Sequence, residues 1–146
     1  MIAATLRNKI KAKLDTLVTS NDLSLVLNRS FKHHPLADPN LVKFPAAIVQ
    51  PPSFESTELD TATNERTYTF DIVIVMKGDD ISDIDAVETL AETIANAFDD
   101  DHTLGGTAQG GVSPAVSPIE QDEFNGKQLV MFVVTIKPRV CYTITS

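Results

Sequence analysis

Two apolar runs far apart in the chain constrain its fold more than any other feature of the 146 residues. In the first, Tyr68, Phe70, Ile72, Ile74 and Met76 alternate with Thr67, Thr69, Asp71, Val73 and Val75. This is the two-residue period of a strand, with one face wholly apolar and a second that starts polar and turns apolar. In the other run, Val130, Phe132, Val134 and Ile136 alternate with Leu129, Met131 and Val133, so both faces are apolar. Asn125-Gly126 ahead of it predicts a type I′ hairpin, because that turn needs positive φ at both central positions.

A sheet covered by helices on one face normally leaves the other wet and polar. Burying a side chain of this size contributes roughly 1.5–3 kcal/mol, so exposing Val73, Val75, Leu129, Met131 and Val133 would forgo on the order of 10 kcal/mol. The expectation is that something covers them: segment 107–118, the N-terminal strands curling over, or a neighbouring subunit.

Two helices are legible. Ile2, Leu6, Ile10, Leu14 and Leu17 recur at steps of four, four, four and three, which predicts an amphipathic helix over about 2–19 with its basic residues mostly on the other side. Ile84, Val87, Leu90, Ala91, Ile94 and Phe98 predict a second buried stripe, with Ser82 as N-cap and Asp83 and Asp85 in the first turn, where the helix dipole favours negative charge. Asp99, Asp100 and Asp101 break that rule at the other end, so either the helix stops earlier or a cation compensates.

Leu23, Leu25 and Leu27 alternate as in a short strand, and 44–50 reads as another, opened by Pro45 and ended by Pro51-Pro52. Residues 54–60 pair back through a polar turn at 61–65, and Val140, Tyr142 and Ile144 continue the sheet past Pro138. Gly105-Gly106, Gly110-Gly111, Pro114 and Pro118 mark a loop expected to be ordered only on assembly. The predicted architecture is one α+β domain over 1–146: a mostly antiparallel sheet, two main helices on one face, and the second face covered by loops or neighbouring subunits.

Charge is distributed unevenly. Residues 1–45 hold seven bases (Arg7, Lys9, Lys11, Lys13, Arg29, Lys32, Lys43) against three acids, whereas Gly78 to Gly126 holds twelve acids and no Lys or Arg. A net charge of −8 disfavours binding to DNA or RNA through neutralised phosphates. The acidic stretch reads either as a solvated face or as the complement of a neighbour's basic end. On these grounds Arg7, Lys11, Val73, Val75, Asp99, Asp100, Asp101, Leu129, Met131 and Val133 are the candidates for subunit or partner contacts.

No apolar run approaches the length of a membrane span, and Arg7, Lys9, Lys11 and Lys13 interrupt any signal-like core at the N-terminus. The lone Cys141 excludes an intrachain disulfide and multi-cysteine zinc sites, and fits synthesis in a reducing cytoplasm. The chain lacks a GxSxG elbow, a phosphate-cradling Gly-rich loop ending in Lys-Ser or Lys-Thr, HExxH and paired CxxC units. Asp99 to His102 carries metal-ligand residue types, but consecutive residues on a helix end point in different directions. His33-His34 reads as a solvent-exposed loop pair. The expectation is a protein without catalytic residues, cofactor or metal.

The order of elements resembles the tail terminator, or tail-completion, proteins of long-tailed bacteriophages and prophages. The residues that carry the likeness are the N-terminal amphipathic helix, Phe44-Pro45-Ala46-Ala47-Ile48-Val49, Arg66 through Val75, the helix Asp83 to Phe98, Asp101-His102-Thr103-Leu104-Gly105-Gly106 and the strand Leu129 to Ile136. The resemblance implies a non-enzymatic virion protein of the tail, assembled in the bacterial host cytoplasm. Its copies, usually six, would form a ring on the head-proximal end of the tail tube. That ring would contact the tail tube protein and a head-completion protein, and DNA would pass through its lumen without sequence-specific binding. The alternatives are a head–tail connector or other neck protein, and a dimeric small-molecule-binding α+β module.

Overall fold

In a computed structural model, which describes residues 2–32, 34–78, 84–124 and 126–143, the chain runs α1 (Ile2–Thr19), β1 (Leu25–Asn28), a short 3-10 turn (Pro35–Ala37), β2 (Ala46–Val49), β3 (Ser53–Glu58), β4 (Thr63–Lys77), α2 (Ile84–Asp100), β5 (Ala115–Val116), β6 (Glu120–Phe124), β7 (Lys127–Ile136) and β8 (Arg139–Thr143). The fold is α+β, with both helices on one face of a mostly antiparallel sheet of eight strands. Only β1 and β2 pair in parallel among the described ladders.

The fifteen-residue β4 is the spine of this sheet. Along one edge it pairs with β2 and then β3: Val49 faces Ile72 and Ser53 faces Thr69, four residues on one side against three on the other. The extra residue falls at Gln50-Pro51-Pro52, a bulge where prolines without N–H groups do no harm to the ladder. Along the other edge, Ile136 faces Phe70 and Arg139 faces Thr67, so β7 and β8 keep one register across Lys137-Pro138. The Pro138 carbonyl even accepts from Tyr68 N–H. The body of the sheet is ordered β1-β2-β4-β7, with β5 and β6 sharing the far edge of β7. β3, the first half of β4 and β8 form an arm beyond it.

The apolar alternation of β4 and β7 places Tyr68, Phe70, Ile72, Ile74, Met76, Val130, Phe132, Val134 and Ile136 in one buried cluster with Leu6, Ile10, Leu14 and Leu17 of α1 and Val87, Leu90, Ala91, Ile94 and Phe98 of α2. Asn21, at φ 67°, takes the left-handed conformation that closes α1, and Asp22 N–H returns to the Leu17 carbonyl. At α2 the predicted N-cap Ser82 and Asp83 lie outside the described residues, as do His33, Asn125 and Ile144. Ile84, assigned above to the buried stripe, is 61% exposed, a correction: as the first residue of α2 it lines an open groove with Ile119 and Gln121, and burial begins at Val87.

The second face is covered from within the chain. Val75 and Leu129 are 0% and 3% exposed, and with Leu41, Ala46 and Ile48 they form a second cluster. Leu36 and Phe44 from the connection between β1 and β2, with Leu25 and Leu27 of β1 itself, pack on it, as do Val73 and Met131. Over Val75 and Leu129 the cover is the folded connection, pinned by the bond from Asn40 N–H to Asp38 Oδ1 and by Leu41 N–H on the Asp38 carbonyl.

Segment 105–118 also departs from the expectation that assembly orders it. Ala108 and Val112 belong to the main core, and Gly110 N–H to Arg139 O, Arg139 N–H to Gly111 O and Lys137 N–H to Val112 O tie the loop to the β7–β8 junction. A Cβ on Gly110 would sit 2.7 Å from Arg139 Cβ, so the backbone approach itself requires glycine there.

Candidate interaction surfaces

The ten predicted contact residues do not form one surface. Val75 and Leu129 are interior, which removes them as contact candidates, because the Leu36–Phe44 connection already buries them. Val73 and Met131 are half-buried at the margin of the same cluster. Val133 is half-buried where Ser117 Oγ accepts its N–H, so β5 and the residue after it shield this side of β7.

The charged candidates divide as well. Asp101 leaves the end of α2 and accepts from Gly105 N–H at 3.0 Å, and Lys13 Nζ lies 3.4 Å from its other oxygen. The Gly105 N–H above all holds the Asp101 carboxyl below its ordinary range; burial opposes it, and the Lys13 ammonium, with Lys9 beyond it, adds to the lowering. The positive charge that three aspartates at a helix C-terminus call for is thus supplied by α1 of the same chain. Asp99 and Asp100 remain exposed. Lys11 pairs with Asp15 one turn on at 3.9 Å, and Arg7 lines a hollow with Asn28, Arg29, Phe31, Val49 and Pro51. Among the described residues no three of His, Cys, Asp and Glu converge as metal ligands, and no helix is long and apolar enough to cross a membrane.

Three exposed features escaped the sequence reading. At the β1 end of the sheet, Phe31 is 80% exposed and stands between Arg29 and Lys32. Arg29 donates to Gln50 Oε1 at 2.8 Å and places its guanidinium 5.6 Å from the Phe31 ring centre. A lone aromatic between two cations after a strand was the available signal.

At the opposite end, a groove runs between α2 and the β5–β6 edge. One part, about 360 Å³, is lined by Ala91, Ala95, Val116, Pro118 and Ile119 with Glu88 and Glu92 at its rim. The next, about 410 Å³, is lined by Ile84, Val87, Ile119, Gln121 and Val130, and Ile119 joins the two. Ile84, Val116 and Ile119 are all exposed large apolar residues, which single ones scattered over a surface would not require explaining but three in one groove do.

The third feature is the arm. All six residues of β3 are exposed, and Phe54 meets its cross-strand partner Tyr68 with ring centres 5.3 Å apart. The Arg66 guanidinium stacks 3.9 Å above Tyr142, so the arm is stiffened by aromatic and cation–π contacts in place of a core.

No family model matches the chain, and no curated protein matches it.

Proposed function

We propose that this chain is a structural virion protein whose copies join head to tail into a ring on the head-proximal end of a phage tail tube, ending tube growth and offering a surface for head joining. The observation that carries the reading is the polarity of the sheet. Its β1 end presents Arg7, Arg29 and Lys32, while its β5–β6 end and the adjoining helix present Asp85, Glu88, Glu92, Glu120, Asp122 and Glu123 against the single Lys127. A contact between two different surfaces of identical copies generates a ring when the rotation closes. Opposite charges at the two ends favour that contact and disfavour the like-with-like arrangement of a two-fold dimer.

The elements that carry the resemblance to tail terminators are helices and strands in the expected order: α1, β2, β4, α2, the turn at 101–106 and β7. An acidic lumen wall would let DNA pass, since it neutralises no phosphates. The test is light scattering and negative-stain electron microscopy of the purified chain, alone and with tail tube protein. Rings with a central hole, weakened by salt that screens the charged ends, are the expected result. Single copies under both conditions would overturn the proposal.

A further inference from the structure

The two ends of the sheet differ in apolar chemistry as well as in sign. Phe31 projects almost wholly into solvent and is flanked by Arg29 and Lys32. The α2 groove at the opposite end is floored by Ala91, Ala95, Val116 and Ile119 and rimmed by Glu88 and Glu92. A knob of one aromatic between two cations fits a slot of small apolar side chains between two carboxylates.

We infer that Phe31 of one copy seats in the α2 groove of the next, with Arg29 and Lys32 against Glu88 and Glu92. This names the subunit contact of the ring and rests on that reading. Phe31 and the groove lie at opposite limits of the strand order β1-β2-β4-β7-β5, so one copy cannot satisfy its own groove, and each copy offers one knob and one slot. The slot has room for a ring because Ala91 and Ala95 are small, and an aromatic seated there would lie against Val116, Pro118 and Ile119. Aromatic residues and arginines seated in such pockets carry most of the energy of protein interfaces. The acidic rim selects against an apolar segment with negative flanks, including the acidic β6 edge of a second copy.

The experiment is a charge exchange. Glu88→Lys with Glu92→Lys gives a copy whose knob and groove are both basic, and Arg29→Glu with Lys32→Glu gives one whose knob and groove are both acidic. Each variant alone is expected to scatter light as a single 15.9 kDa chain, and an equimolar mixture is expected to recover the wild-type mass with the two kinds alternating. Phe31→Ser is expected to raise the dissociation constant at least about tenfold with only a small change in melting temperature, since the 80% exposed ring's contact with its own chain is mainly with the exposed Arg29 guanidinium. Circular dichroism identifies any variant that has failed to fold. Variants that keep the wild-type mass would overturn this contact and leave the ring standing, and folded variants that stay apart on mixing would overturn the pairing. A wild-type chain that never assembles would overturn the ring itself.

Discussion

The two faces of the sheet are both buried, yet by different means. On one, α1 and α2 lay long regular stripes over Phe70, Ile72, Phe132 and Val134. On the other, a connection with a single 3-10 turn folds Leu36, Leu41 and Phe44 over Val75 and Leu129, and Lys77 places its ammonium 5.4 Å from the Phe44 ring as a lid on the polar side. The lesson is that an apolar excess on a strand states only that cover exists. It does not say whether a neighbour or the chain's own connection provides it.

The contrast can be broken by large-to-small substitutions. Phe70→Ala, at 0% exposure under both helices, is expected to cost about 3–5 kcal/mol, lowering the melting temperature by at least about 6 °C for a chain of this size. Leu129→Ala on the loop-covered face is expected to cost less, about 2–3 kcal/mol, because a connection can settle into the space more readily than two packed helices. An equal or larger loss at Leu129 in urea unfolding would mean that the two covers are equally rigid. Hydrogen exchange gives a second reading, with amides of 36–44 expected to open before those of α2.

Smaller effects probe where the helix-covered face is tied off. Gly105, at φ 70°, supplies the N–H that Asp101 accepts, and Gly105→Ala is expected to cost about 1 kcal/mol by strain at positive φ, again read by urea unfolding. Asp101→Asn is expected to cost about 0.5 kcal/mol at neutral pH, since solvent screens a half-exposed pair. Folding lowers this carboxyl's pKa, so its contribution stands above the unfolded value of 3.8 and drains away as pH falls through the native one. Wild type and Asp101→Asn should therefore converge in stability in acid, and a gap that persists there would assign the effect to packing.

Much of this architecture was legible because side-chain period follows backbone period. The steps of Leu6, Ile10 and Leu14 and the alternation of Phe70, Ile72 and Ile74 report helix and strand wherever one side meets a core. β3 carried no such alternation, and its pairing was legible only from the polar turn at 61–65 that folds it back: Ser53–Glu58 is exposed throughout and takes its register from β4. That a loop or the N-terminal strands would cover Val75 was legible; which residues do so was not, since Leu36, Leu41 and Phe44 are brought together by the bend of a loop and not by any repeat. Among surfaces, the charge asymmetry along the sequence becomes an asymmetry between the two ends of the sheet. It did not show that Lys13 would be engaged by Asp101 at home, nor that the exposed apolar residues would be Phe31, Ile84, Val116 and Ile119.

β4 takes partners from both sides in a fixed order of arrival. Residues 46–58, which line one of its edges, precede it, whereas residues 127–143, which line the other, follow it by fifty positions or more. During synthesis the ribosome therefore delivers a strand that is sheathed on one edge and bare on the other until the last part of the chain emerges. A nascent copy held at that stage has an open template for any passing strand, and neighbouring copies translated from one message are the nearest ones.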